Sequence, residues 1–119
     1  MRIVIDMQAA QTESRYRGIG RYAVAFARAV VRNRGDHDIF LALSGRFPQT
    51  IEPVRAAFDG LLPQDSIRVW HAPGRMSENQ AKMDARRDVG EILREAFLAS
   101  LQPDVIHVSS LFDFFTRCT

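Results

Sequence analysis

Four short apolar runs alternate with three segments of helical periodicity, and this alternation constrains the fold more than any other property of the chain. The first run, residues 2–7 (Arg-Ile-Val-Ile-Asp-Met), is β-branched and nearly unbroken, as expected of a strand covered on both faces. It is expected at the centre of a parallel sheet. Residues 39–43 (Ile-Phe-Leu-Ala-Leu) and 104–109 (Asp-Val-Ile-His-Val-Ser) read as two further strands. Residues 66–71 (Ser-Ile-Arg-Val-Trp-His) alternate apolar and polar side chains, so this strand is expected nearer a sheet edge than the other three.

After the first strand, Gly18 and Gly20 open a segment in which Ile19, Tyr22, Ala23, Phe26, Ala27 and Val30 recur at helical spacing. Arg21, Arg28 and Arg32 fall on the opposite side, and Gly35 follows the last turn as a helix terminator. A second helix is expected from Thr50, with Ile51, Val54, Ala57, Phe58 and Leu61 inward. A third carries Val89, Ile92, Leu93, Ala96, Phe97, Ser100 and Leu101 on one stripe and stops at Pro103. The order βαβαβαβ predicts a Rossmann-like α/β fold, an open parallel sheet in three α/β/α layers joined by right-handed crossovers. A chain of 119 residues holds one such domain, with enough buried surface for a core.

Composition narrows the function. The single cysteine, Cys118, has no partner in the chain, which points to a reducing compartment. No apolar run reaches the ~20 residues of a membrane span, so a soluble, cytoplasmic protein is expected. A net charge of +2 is too weak a balance to imply a nucleic-acid partner. The histidines lack ligand spacing, and no metal site is expected. Neither GxxxxGK[ST] nor GxSxG occurs. A receiver domain would want acids after the first strand and an Asp ending the third, where this chain has Gln8 and His71.

In open parallel sheets, ligands bind beyond the carboxyl ends of the strands, which limits the search to four loops, at 8–18, 44–49, 72–79 and from 109 onward. The most specific motif there is residues 15–22, Arg-Tyr-Arg-Gly-Ile-Gly-Arg-Tyr. Glycines at a helix N-terminus let a phosphate approach free backbone N–H groups at the positive end of the helix dipole. Gly18 and Gly20 therefore read as a phosphate-binding turn, assisted by Arg17 and Arg21. Arg28 and Arg32 read as a solvated face. The spacing Gly18-x-Gly20-x-x-Ala23 matches the dinucleotide fingerprint formally, but ten residues separate it from the first strand. The second strand also ends in Leu43-Ser44, without the acid that holds a ribose. His107 and Ser109 share a face by the two-residue period of a strand. His107 is expected to be a buried, hydrogen-bonded histidine, and Ser109 to contact a sugar hydroxyl or phosphate.

Residues 1–6 (Met-Arg-Ile-Val-Ile-Asp), 17–22 (Arg-Gly-Ile-Gly-Arg-Tyr) and 103–108 (Pro-Asp-Val-Ile-His-Val) resemble, in order and spacing, the N-terminal domain of family-4 type (group 1) retaining glycosyltransferases with the two-domain GT-B fold. The resemblance implies sugar transfer from a nucleotide-diphosphate donor to a glycan or lipid-linked acceptor, as in bacterial polysaccharide biosynthesis. The nucleotide sugar is then a substrate, and no cofactor or metal is implied. Family members carry a double glycine where this chain has Arg17-Gly18, and a second histidine of His-x-His where it has Ser109. Their donor-binding half, with its Glu-x7-Glu element, has no counterpart in these residues. The chain is thus expected to be an N-terminal, acceptor-side domain, truncated and inactive by itself. The alternative is a free-standing nucleotide- or partner-binding module. In either case the sheet edge and the apolar residues 111–115 are candidate sites of self-association.

Overall fold

The computed structural model describes residues 1–12, 16, 18–71 and 92–109. Its elements are β1 (Arg2–Asp6), α1 (Gly18–Arg32), β2 (Asp38–Ser44), α2 (Pro48–Ala57), β3 (Ile67–Trp70), the helical residues 92–100 as α3, and β4 (Val105–Val108). All strand pairs are parallel and the sheet order is β3-β2-β1-β4. The fold is the expected α/β Rossmann-like one. β1 lies inside the sheet and β3 at an edge, as the sequence patterns indicate. β4, read as more interior than β3, occupies the other edge, and its Val105 and Ile106 are 44% and 43% exposed.

Strand order determines which face each helix covers. The chain moves outward from β1 through β2 to β3, which brings α1 and α2 onto one face. It then returns past β1 to β4, which brings α3 onto the other, as right-handed crossovers require. The two cores correspond to these faces. Ile5, Met7, Leu41 and Leu43 pack with Ala27, Val31, Val54 and Phe58 on the α1 and α2 side, while Val4 and Ala42 pack with Leu98 and Leu101 on the α3 side.

Three expectations about the helices are corrected. The buried residues of α1 are Gly20, Ala23, Ala27 and Val31, whereas Ile19 and Tyr22 are 36% and 53% exposed. Small side chains let the helix axis lie close to the sheet, which turns the bulkier residues to its flank. α2 begins at Pro48 rather than Thr50, with proline supplying the fixed φ of a first helical turn, and it ends before Phe58 and Leu61. In α3 the buried residues are Arg94 and Leu98, each one position beyond the expected Leu93 and Phe97, whereas Leu101 just after the helix is buried as expected and Ile92 is half exposed. The segment 72–91, with the expected crevice loop at 72–79 and Val89 of the expected third helix, lies outside the described residues, as do residues 110–119.

The first residues after β1 are not the open polar stretch their composition suggests. Gln8–Ala10 forms a 3-10 turn, and Gln8, Ala9, Ala10 and Gln11 are all buried. Gln11 ties this turn to the loop after β2. Its Nε2 donates to the Ser44 carbonyl (2.9 Å) and to Thr50 Oγ1 (3.1 Å), and its Oε1 accepts from the Ser44 N–H (2.8 Å). Leucine at position 11 would leave both backbone groups of Ser44 without these side-chain partners inside the protein. Gln11→Leu is expected to cost about 2–3 kcal/mol in chemical denaturation.

Candidate functional site

The strand order reverses between β1 and β4, so the ligand crevice of this sheet lies beyond their carboxyl ends. Asp6 closes β1 there and is 3% exposed. Its Oδ1 accepts the Gln8 N–H at 2.9 Å, and its Oδ2 pairs with the guanidinium of Arg94, which donates through Nε at 2.6 Å and through Nη2. Arg94 is itself fully buried. This ion pair fastens α3 and the 3-10 turn to the end of the central strand, which gives the crevice a rigid floor.

On the α1 side of β4, His107 pairs in register with Ile5, and Ser109 continues along the same face. The His107 ring stacks on Phe26 at 4.5 Å, and Phe26 stacks on Tyr22 at 5.7 Å. The expectation of a buried, hydrogen-bonded histidine is corrected here. The residue is half-buried, and its Nε2 has no hydrogen-bond partner among the described residues. The same holds for Ser109 Oγ and for Oε1 of Gln8, a residue 5% exposed. Three polar atoms at or near the carboxyl ends of adjacent strands are thus left with unused hydrogen-bonding capacity, an arrangement that costs about 1–3 kcal/mol per group unless water or a ligand supplies the bond.

Gly18 is the first residue of α1 and is exposed, and a Cβ placed on it would meet nothing within 4 Å. Packing therefore does not require glycine at this position. Gly20 is buried and Arg21 exposed, and together with Ala10, Val24, Ala25 and Arg28 they line a cleft of about 390 Å³. Arg17 lies outside the described residues. The structure thus joins Gly20 and Arg21 in one cleft, while Ser109 stands apart with His107 and Phe26. Sequence reasoning missed three participants. Arg28 was read as solvated, yet it is half-buried with an unpartnered Nε among the described residues. Gln8 and the Asp6–Arg94 pair gave no periodic signal, because each departs from the apolar pattern around it.

Fold and site together define a Rossmann-like α/β domain with its ligand crevice at the β1/β4 switch point and a helix N-terminus opening onto it. The chain is similar to curated relatives described as the serotype-specific mannosyltransferase WbdA of Escherichia coli. One is 31% identical over 114 residues, covering 95% of this chain and 14% of the relative. Two others are 24% and 23% identical over 88 residues, each covering 73% of this chain and 11% of the relative. The relatives are glycosyltransferases, and the chain spans about one seventh or less of their length. No family model and no solved structure matches. Among the described residues, no helix is long and apolar enough to cross a membrane.

Proposed function

We propose that the chain is the N-terminal, acceptor-side domain of a retaining GT-B glycosyltransferase of the family-4 type, which moves a mannosyl group from a nucleotide-diphosphate donor to a growing bacterial polysaccharide in the cytoplasm. The observation that carries this reading is Gly18 at the start of α1, where glycine has no packing reason and the helix opens onto the crevice. Backbone N–H groups at Gly18 and Gly20, with Arg17 and Arg21, would receive the donor diphosphate as it departs. Ser109, with Nε2 of His107 and Oε1 of Gln8, which have no hydrogen-bond partner among the described residues, would take sugar hydroxyls. No metal or cofactor enters the scheme.

Such catalysis depends on positioning two substrates and on stabilising the leaving diphosphate, so half a cleft gives little rate. The uncovered Val105 and Ile106 at the edge of β4 agree with a sheet continued by further chain. The test is transfer from a nucleotide-diphosphate mannose to an oligomannoside. A polypeptide carrying this chain and a following donor half is expected to turn over, and residues 1–119 alone to show less than about one per cent of that rate. Equal rates, or a reading frame that stops after Thr119, would replace the proposal with a free-standing binding module.

A further inference from the structure

We propose that the amino-terminal end of the sheet carries a second carbohydrate site, which takes one pyranose ring of a neutral oligosaccharide. A cleft of about 230 Å³ opens there between the end of α1, the start of β2 and the turn before β3. It is smaller than the ~300–1,000 Å³ of sites for drug-sized ligands and suits a single ring. β2 runs for seven residues from Asp38 to Ser44, roughly 20 Å, so this cleft lies at the opposite end of the sheet from the crevice. It shares no residue with the donor and sugar contacts proposed above.

The polar groups of the cleft are Arg34, His37, Asp38 and Ser66. Arg34 is fixed, because its Nη1 donates to the carbonyls of Val31 (3.1 Å) and Leu61 (2.8 Å), which leaves Nε and Nη2 for a ligand. His37 and Asp38 are held through the backbone, the His37 N–H donating to the Arg34 carbonyl and the Asp38 N–H to that of Met1, both at 3.0 Å. The side chains of His37, Asp38 and Ser66 make no hydrogen bond or ion pair among the described residues, and the Asp38 carboxylate does not close on the Arg34 guanidinium. Arg34 and Asp38 cancel in charge, so a net anion would meet the carboxylate and a net cation the guanidinium. A guanidinium only donates and a carboxylate only accepts, whereas sugar hydroxyls do both. The Ser66 hydroxyl and His37 imidazole add two further groups, and four match hydroxyls around a ring better than the two poles of a small zwitterion. Leu62 and Pro63 supply the apolar wall for the C–H face of that ring.

Taking mannose as the sugar rests on the proposed function, whereas the chemistry of the cleft does not. A polymer long enough to reach from crevice to cleft is held at two points, which slows its release. The test is an NMR titration of the nitrogen-15-labelled 119-residue chain with mannotriose, maltotriose, alanine and inorganic phosphate. Mannotriose is expected to bind with a Kd of roughly a millimolar and to shift the amides of residues 34–40 and 62–66. Asp38→Ala should weaken it by about tenfold or more, while Asp36→Ala, exposed and outside the cleft, leaves it unchanged. The Asp38 side chain is exposed and holds nothing in the fold, so the spectrum of the free variant should otherwise match the parent. Shifts confined to residues 8–11, 44–50 and 107–109 would put the sugar in the crevice alone and overturn the proposal. Alanine binding as tightly as mannotriose, phosphate displacing it, indifference to Asp38→Ala, or no shift with either trisaccharide would overturn it equally. Maltotriose binding here without mannotriose would uphold the site and count against mannose in the proposed function, so the two readings fall separately.

Discussion

Replacing Arg94 with methionine is expected to lower the unfolding free energy by about 3–5 kcal/mol, measured as a shift of the denaturant midpoint at unchanged slope. The cause is what remains behind. Asp6 is 3% exposed and, among the described residues, would keep only the Gln8 N–H as a partner, leaving a carboxylate buried without its countercharge. The double replacement Asp6→Asn with Arg94→Met removes both charges, retains an acceptor for Gln8 and should recover most of the loss, since a buried pair is worth little against an uncharged replacement of similar volume. A double variant as unstable as Arg94→Met would show that Arg94 acts through the packing of α3 on the sheet rather than through the pair.

Gly18→Val in the complete enzyme is expected to reduce transfer roughly a hundredfold, because the valine side chain bars the phosphate from the backbone N–H groups and so matches the scale of a lost oxyanion-hole donor. Stability should stay within about 1 kcal/mol, because the space around the missing Cβ is open and valine is no worse than glycine in a helix. That combination separates a ligand role from a folding role. Arg32→Ala, in the last turn of α1 and exposed, is the control and should leave activity near that of the parent. Equal activity of the two variants would remove the phosphate turn from Gly18. A large loss of stability in Gly18→Val would instead place the glycine among the structural residues.

The strands were legible in the sequence because burial on both faces leaves a compositional mark. The run Ile3-Val4-Ile5 fills two cores from one strand, and only a central position allows that. Helix positions were legible from 3.6-residue spacing, but their rotation was less so. In α1 the inward residues are Gly20, Ala23 and Ala27, whose small size marks close approach only once the sheet beneath is known. In α3 the inward residue is an arginine, which periodicity assigns to solvent. Its partner Asp6 is 88 residues away in the chain, and no local pattern announces such a pair.

The candidate site divides in the same way. The Gly18 and Gly20 turn can be read from the chain, because the backbone chemistry of a helix N-terminus is local. Gln8, Arg28 and His107 could not, since each is marked by an atom with no hydrogen-bond partner among the described residues, and satisfaction depends on neighbours brought from other strands and helices. The amino-acid sequence by itself determined the alternation of strands and helices, the parallel sheet and the glycine-led start of α1, all of which follow from short-range spacing and side-chain size. Only the tertiary structure decided which face of each helix turns inward, which charges are paired beneath the crevice and where the clefts lie. Those depend on burial, and burial is set by packing between residues far apart in the chain.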